Sequence, residues 1–451
     1  MKTNRHAFLS QVACLVSGKA ALAASSGPNF LFILADQFRH SALGANGNPL
    51  VHTPELDRLA RSGVRFENCY CAQAVCTPSR ASILTGRYPH THGLQRNVYD
   101  IKSAFDLPQY KLRPNFPEML HRAGYRTGYI GKWHLGDENP GFFDHWNGFN
   151  SRLSHWLGKP HESPYRPDAD TEDGLKFLAE NRSRPFLLFV SYYPPHGPYT
   201  APKAFHRYYE GKQLEPMEYY AAVSNVDWNV GRLLKQLQDL ALDRRTFVIF
   251  TTEHGETFGK RPGSRNKRVS YDDSARIPLL MSFPGRLPAR RAWRSGVSLI
   301  DVMPTILEVA GEQIPPEVEG KSLYSRLLRG KDEWQDPIVI QNITEPTFNG
   351  SEAIERAIRT ERWKLILKQI ADRPHERINE LYDMKNDPAE SVNLFGRNDA
   401  LGVVRELAEQ LVTWGKRFGD TLSVTLAREC VEQLQVRTTA GILRSRFQVS
   451  G

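Results

Sequence analysis

Short runs of apolar residues alternate with amphipathic stretches along the first 300 residues of the chain. Helical spacing of apolar residues occurs in Pro54–Ser62 and Tyr219–Leu240. Five runs rich in Phe, Ile, Leu and Val are bounded by polar turns, which is typical of buried parallel strands. These runs are Asn29–Ala35, Arg126–Ile130, Phe186–Ser191, Phe247–Thr251 and Ile277–Ser282. The order of strand, helix and strand predicts an α/β fold with a doubly wound sheet.

The pattern changes after Pro304. Residues 305–332 combine a helix with a turn-rich stretch, and strands are predicted at Pro337–Thr344 and Arg362–Gln369 before a helix around Leu401–Arg417. We therefore predict four segments. They are a signal peptide at 1–26, a main domain at 27–334, a smaller α+β subdomain at 335–425 and a C-terminal tail at 426–451.

The composition is that of an ordinary globular protein, since hydrophobic residues make up 40% and charged residues 24% of the chain. A formal net charge of +9 suits a protein that meets anionic partners. The basic residues are scattered, with clusters at Gly259–Arg268 and Gly285–Arg294, and no nucleic-acid-binding motif accompanies them. We do not expect a nucleic-acid partner.

The N-terminal segment resembles an export signal. A basic start is followed by small and apolar residues, with a candidate cleavage site after Ala23, although a disordered extension is the alternative. Elsewhere no stretch approaches the roughly 18 apolar residues of a membrane-spanning helix. We expect an exported protein, periplasmic or secreted. Cys14 would leave with the signal, and the other four cysteines show neither zinc-like spacing nor a disulfide framework.

Polar side chains follow four of the predicted strands. Ligands of open α/β sheets bind beyond the carboxyl ends of the strands, so these side chains are expected in one crevice. They are Asp36 and Gln37, Lys132 to His134, Tyr193 to His196, and Thr252 to Gly255.

Cys76 stands at the start of a predicted short helix. With Thr77 as the N-cap and Pro78 as the first helical residue, the helix ends at Gly86. The N–H groups and dipole at this end favour an anion, and Arg80 lies one turn further on. A buried structural cysteine and a thiol nucleophile of low pKa both remain open on these grounds.

The sequence Cys-Thr-Pro-Ser-Arg at 76–80, followed by Ala-Ser-Ile-Leu-Thr-Gly, resembles the signature of type I sulfatases of the alkaline phosphatase superfamily. Further motifs occur in the family's order, namely Phe-Ile-Leu-Ala-Asp-Gln (32–37), Gly-Lys-Trp-His-Leu-Gly (131–136), Pro-His-Gly-Pro (195–198) and Tyr-Asp-Asp-Ser-Ala-Arg-Ile-Pro (271–278). The resemblance implies an alkaline-phosphatase-like fold: a large mixed, mostly parallel sheet flanked by helices, with a smaller C-terminal α+β subdomain. It makes residues 27–334 the catalytic domain.

In that family the cysteine is oxidised to formylglycine by a maturation enzyme before folding, so the resemblance implies a hydrated aldehyde at position 76. It also implies a bound divalent cation. Because the ligands are mostly oxygens, Ca²⁺ is the first expectation, with Mg²⁺ or Mn²⁺ as alternatives. The implied metal ligands are Asp36, Gln37, Cys76, Glu253 and His254.

The resemblance also assigns catalytic roles. One hydroxyl of the hydrate would attack the sulfur of a sulfate ester, and the other would later expel sulfate. Lys132 and Lys267 would bind the sulfate, and Arg80 would hold the diol. His196 would protonate the leaving oxygen, while His134 would assist the return of the aldehyde.

Two positions depart from the family's commonest form. Gln37 and Glu253 both occupy places where aspartate is usual. Gln37 also resembles phosphonate monoester hydrolases of the superfamily, which leaves a phosphonate or phosphate ester hydrolase as an alternative. Glu253 leaves open a catalytically silent protein that binds sulfated glycans. The favoured function is a sulfatase acting on sulfated carbohydrates.

Overall fold

A computed structural model of the chain describes residues 27–346 and 350–448. The predicted signal peptide, with Cys14, lies outside the described residues, as do the last three residues of the predicted tail. Among the helices of the described ranges, none is long and apolar enough to cross a membrane.

The larger sheet is mixed and, within the described ranges, has nine strands in the order β4-β3-β5-β1-β6-β7-β2-β8, with β9 beside β2. The strands are β1 (Asn29–Asp36), β2 (Val64–Tyr70), β3 (Arg126–Lys132), β4 (His145–Phe149), β5 (Phe186–Pro195), β6 (Thr246–Thr251), β7 (Arg276–Ser282), β8 (Arg291–Trp293) and β9 (Val297–Ser298). Strand β1 is central and pairs in parallel with both β5 and β6.

One strand of the predicted parallel set runs the other way. Strand β7, predicted as Ile277–Ser282, pairs antiparallel with β6 and with β2. A parallel return needs a crossover, usually a long helix, on one face of the sheet. The connection from β6 to β7 contains only the short helix Asp272–Ala275 and turns back at the carboxyl end of β6. The prediction of a parallel strand here was therefore wrong.

Helices cover both faces of this sheet, as the alternation within β1 shows. Phe30 and Phe32 point into one hydrophobic core, and Leu31 and Ile33 point into the other. The helices are α1 (Pro54–Ser62), α2 (Cys76–Thr85), α3 (Pro89–His92), α4 (Phe116–Arg122), α5 (Arg166–Glu180), α6 (Met217–Asp239), α7 (Asp272–Ala275), α8 (Val302–Ala310) and α9 (Tyr324–Arg329). The predicted doubly wound α/β arrangement is confirmed.

A smaller antiparallel sheet follows in the order β10-β11-β12-β13, and two helices pack against it. Its elements are β10 (Ile338–Ile343), β11 (Ala353–Arg359), β12 (Trp363–Ile370), β13 (Arg373–Asp383), α10 (Leu401–Phe418) and α11 (Thr421–Gln448). The pattern predicts β10 and β12 but not β11 and β13, because charged residues interrupt the apolar alternation of both strands. The domain boundaries remain a prediction.

Charged side chains are buried where the smaller sheet meets the segment that leads into β7. Lys368 lies 2.6 Å from Glu380 and 3.3 Å from Glu355, and Lys364 lies 2.6 Å from Glu390. Glu355 also accepts hydrogen bonds from the backbone and hydroxyl of Ser270. The smaller sheet therefore fixes the chain just after Lys267.

Candidate active site

The side chains predicted for the site meet at one edge of the large sheet. Parallel strands bring their carboxyl ends to the same edge, and the return of β7 brings the preceding loop back to it. Asp36 ends β1, Lys132 ends β3, His196 follows β5, Glu253 and His254 follow β6, and Lys267 lies in the loop before β7.

Cys76 is the first residue of α2, two positions earlier than predicted. Val75 is the N-cap, and the backbone N–H of Ser79 donates to its carbonyl at 3.0 Å. Thr77 does not cap the helix, because its hydroxyl donates to the carbonyl of His134 at 2.8 Å. Gly86 adopts the left-handed conformation, φ 64°, and ends the helix as expected.

The Cys76 thiol is buried between two lysines. Its sulfur lies 3.3 Å from Nζ of Lys267 and 3.8 Å from Nζ of Lys132. Burial opposes ionisation, but the two ammonium groups outweigh it and hold the pKa of Cys76 well below its usual value. Burial instead raises the pKa of Cys71, five residues earlier. The surroundings of Cys76, unlike those of Cys71, therefore favour a negatively charged group.

Cys76 and three side chains around it form a compact donor set. One ligand atom from each of Asp36, Cys76, Glu253 and His254 lies within 4.8 Å of the others, and all four residues are buried. Nδ1 of His254 lies 2.9 Å from the carbonyl of Gly255, and this contact orients the ring so that Nε2 faces the sulfur at 3.2 Å. Two carboxylates and an imidazole nitrogen fit a divalent cation.

Gln37 lies beside this donor set. Its Oε1 accepts a hydrogen bond from Nζ of Lys267 at 2.9 Å, and its Nε2 donates to Glu256. The amide thus links the lysine to a second carboxylate in the loop after β6.

Arg80 bridges the carboxylates and strand β3. Its Nε and Nη2 donate to Oε1 of Glu253 at 3.1 and 2.8 Å, and Nη2 lies 3.5 Å from Asp36. Nη1 donates to the hydroxyl of Ser191 at 2.9 Å and to the carbonyl of Lys132. Arg80 therefore compensates the buried negative charge of Glu253, and it fixes the end of β3 that carries Lys132.

The two histidines occupy different environments. Neither ring nitrogen of His134 makes a hydrogen bond of normal geometry, and burial and Lys132 lower the pKa of this residue to about 4. Nδ1 of His196 lies 2.6 Å from the carbonyl of Gly197, so Nε2 accepts from Lys267 at 3.1 Å. Burial, with Lys267, lowers the pKa of His196. The low pKa of His134 favours a neutral ring, and the contact with Lys267 opposes protonation of His196.

Two further side chains border the site: Glu256, which the sequence did not indicate, and Tyr193, which begins one of the predicted strand-end segments. Glu256 accepts hydrogen bonds from Tyr199 and from the backbone of Phe258, both at 2.6 Å, besides the one from Gln37. The ring of Tyr193 lies 4.4 Å below Nζ of Lys132. Tyr193 lies within a strand-end segment that predicted the site, and Glu256 directly follows another. Their positions in the sequence could therefore have indicated that they border the site.

A family model described as Sulfatase matches residues 28–312, and one described as N-sulphoglucosamine sulphohydrolase, C-terminal, matches residues 262–417. The chain belongs to the sulfatase family. The predictions of this family, of its alkaline-phosphatase-like fold and of a sulfuric ester hydrolase are therefore confirmed.

Individual proteins similar to this chain support the same family. The chain is 32% identical to an ulvan-active sulfatase of Formosa agariphila, over 87% of this chain and 82% of that protein. It is 27% identical to an N-acetylglucosamine-6-O-sulfatase of Bacteroides thetaiotaomicron, over 93% and 92% respectively. The crystal structure of the phosphonate monoester hydrolase of Agrobacterium radiobacter superimposes with a TM-score of 0.73 at 20% identity, over 87% of this chain and 96% of that one. That last similarity shows a common fold only.

Proposed function

We propose that this sulfatase removes sulfate from sulfated carbohydrates and that its nucleophile derives from Cys76. The observation that carries the proposal is the burial of Cys76 at a helix start between two lysines and beside the donor set of Asp36, Glu253 and His254. Carbohydrate is the favoured substrate because both relatives described above are named for sulfated glycans or sugars.

Lys132 and Lys267 would bind the sulfate group. Their ammonium groups flank position 76 from two sides, so a sulfur atom placed for attack would have its oxygens near both charges. Charges fixed in a buried site stabilise developing negative charge without reorganisation. The contacts of Lys132 with Asp36 and of Lys267 with Gln37 keep both lysines in place before substrate arrives.

His196 would protonate the leaving oxygen. In the structure burial and Lys267 lower the pKa of His196, and Lys267 donates to its Nε2. A bound sulfate would attract the Lys267 ammonium and compensate its charge, so substrate binding would favour the protonated imidazole. His134 would remain the neutral base, because burial and Lys132 hold its pKa low.

The proposed cation is Ca²⁺, with Mg²⁺ or Mn²⁺ as alternatives, held by Asp36, Glu253, His254 and residue 76, with Gln37 beside them. When bound, such an ion supplies positive charge that polarises a coordinated oxygen. Formylglycine at position 76 would supply a hydrated aldehyde as the nucleophile. A maturation enzyme and export from the cytoplasm are part of the proposal, and so are the segment boundaries given above.

Mass spectrometry and a substrate panel test the proposal. After co-expression with a formylglycine-generating enzyme, the peptide that contains Cys76 should show conversion to the aldehyde. The converted protein should release sulfate from a panel of sulfated monosaccharides and disaccharides. Unmodified thiol together with no sulfate release would contradict the proposal, and sugar binding unaffected by Cys76→Ala would then favour the silent glycan-binding protein.

A second candidate is hydrolysis of phosphonate or phosphate esters. Gln37 favours it, because an amide in place of a carboxylate reduces the negative charge beside the anion site, and the fold is shared with a phosphonate monoester hydrolase. Relative values of kcat/KM for an aryl sulfate and the matching aryl phosphonate monoester decide between the two. Sulfatase function requires the larger value for the sulfate.

A further inference from the structure

We propose that Arg152 binds a second negatively charged group of the substrate, a sulfate or carboxylate on the same sugar as the scissile sulfate. The inference rests on the proposed function, because it concerns the opening of the same site. It would make Arg152 a specificity-determining residue for multiply charged sugars.

Tyr99 connects Arg152 to the site. Its ring centroid lies 5.3 Å from that of His134, and the guanidinium carbon of Arg152 lies 4.1 Å from the centre of the Tyr99 ring. The hydroxyl of Tyr99 accepts a hydrogen bond from Asn97 at 3.1 Å, and Asn97 in turn accepts one from the backbone of Thr77 at 3.0 Å. The position of Arg152 is therefore tied to the helix that begins at Cys76.

The charge of Arg152 is only weakly compensated. Its ion pair with Asp100 spans 3.8 Å, and the side chains are 64% and 87% exposed. By contrast, Arg96 donates hydrogen bonds of 2.7 and 2.6 Å to the two carboxylate oxygens of Glu352. A guanidinium that stacks on a ring and lacks a close carboxylate keeps its N–H groups available for a ligand.

The backbone around Tyr99 is in an uncommon conformation. Asp100, His134 and Arg152 all have positive φ values, 54°, 58° and 65°, although none of them is glycine. Such residues are disfavoured and concentrate at functional sites, where the surrounding structure holds them. Three such positions therefore lie next to Tyr99 in the chain or in contact with its ring or its neighbour, and one of them is the proposed base His134.

The chemistry of the opening suits an anion with two charged groups. Lys132 and Lys267 lie around Cys76, where the scissile sulfate would bind, and the exposed Arg152 stacks on the Tyr99 ring that contacts His134. A planar guanidinium matches sulfate or carboxylate oxygens in pairs. A sugar with a second such group would reach Arg152 with one substituent while the first occupied the lysines.

Binding measurements without turnover test the proposal. In a Cys76→Ala background, calorimetry compares N-acetylglucosamine 6-sulfate with N-sulfoglucosamine 6-sulfate, and N-acetylgalactosamine 6-sulfate with its 4,6-disulfate. In at least one pair the doubly charged sugar should bind more tightly. Arg152→Ala should weaken its binding about fivefold and that of the singly charged sugar less than twofold. Arg152→Lys should retain part of the preference.

Arg122→Ala is the matched control. Arg122 is 72% exposed at the end of α4, which precedes β3 and so lies at the opposite edge of the sheet. It should leave all four affinities unchanged. Equal losses for both members of each pair in Arg152→Ala, no preference for either doubly charged sugar, or no binding of any sugar would overturn the proposal. An Arg152-dependent preference without sulfate release by the converted enzyme would instead contradict the proposed function alone.

Discussion

Asn342 of strand β10 accepts a hydrogen bond from the backbone N–H of Ala74, two residues before Cys76, at 2.9 Å. Its amide also donates to the hydroxyl of Ser270 at 3.0 Å, three residues after Lys267. One side chain of the smaller sheet thus joins the two segments that carry the proposed nucleophile and one proposed sulfate-binding lysine.

Asn342→Ala should lower both stability and activity. The substitution leaves the buried N–H of Ala74 without its acceptor, which costs about 1–3 kcal/mol in the free energy of unfolding. Because the Cys76 and Lys267 segments lose a common anchor, kcat should fall more than KM changes. Urea unfolding and steady-state kinetics measure the two effects. Asn48→Ala is the control, because it removes solvent-exposed hydrogen bonds with Ser41 and Leu50; it should lower stability less and leave kcat unchanged.

His196→Ala should act mainly on poor leaving groups. A sugar alkoxide needs a proton when it leaves, whereas 4-nitrophenolate does not. We expect kcat to fall about 10²–10⁴-fold for a sulfated sugar and less than tenfold for 4-nitrophenyl sulfate.

His134→Ala provides the comparison for that experiment, because its proposed step follows departure of the leaving group. Once that step limits the rate, His134→Ala should lower kcat by the same factor for both substrates. Equal losses for both substrates in His196→Ala would contradict the role of His196 as an acid.

Glu253→Gln should destabilise the protein even without metal. Burial raises the pKa of Glu253 to about 7, so above that pH the change removes the charge that compensates the buried Arg80. Loss of one partner of a buried ion pair costs about 3–5 kcal/mol. Urea unfolding in the presence of a chelator isolates this effect. Glu172→Gln, which removes an exposed partner of Arg232, should cost less than about 1 kcal/mol. Similar losses for the two variants would contradict the assignment.

Stability should fall on acidification, with a contribution from His92. Nδ1 of His92 accepts from the backbone of Leu94 and Nε2 lies 3.1 Å from the hydroxyl of Ser82, so the geometry requires the neutral ring. Burial lowers the pKa of His92 to about 3 from a usual value of 6.5. The unfolded chain therefore binds a proton between these pH values that the folded chain excludes.

For each such group, the free energy of unfolding should decrease by about 1.4 kcal/mol for every pH unit below 6.5. His92→Gln should reduce the slope by that amount in urea unfolding between pH 4.5 and 6. An unchanged slope would show that His92 is protonated in the folded protein.

The sequence predicted most strands of the large sheet because each is a short, buried apolar run, as Asn29–Asp36 illustrates. The same strand ends also placed Asp36, Lys132 and His254 at one edge. Side-chain pairings were not predictable, because the Arg80–Glu253 pair joins residues 173 positions apart and depends on packing that no local pattern encodes. The predicted start of the helix at Pro78 was wrong, because the Thr77 hydroxyl donates to the distant carbonyl of His134 and does not cap the helix.

The contact between Ala74 and Asn342 can form only after both residues have been synthesised. The two residues are 268 positions apart in the chain. At about 5–20 residues per second, a ribosome needs roughly 13–54 s to progress from one to the other. Throughout this interval the loop before Cys76 lacks the strand that later pairs with it, so the proposed maturation enzyme would meet this cysteine before the finished fold buries it.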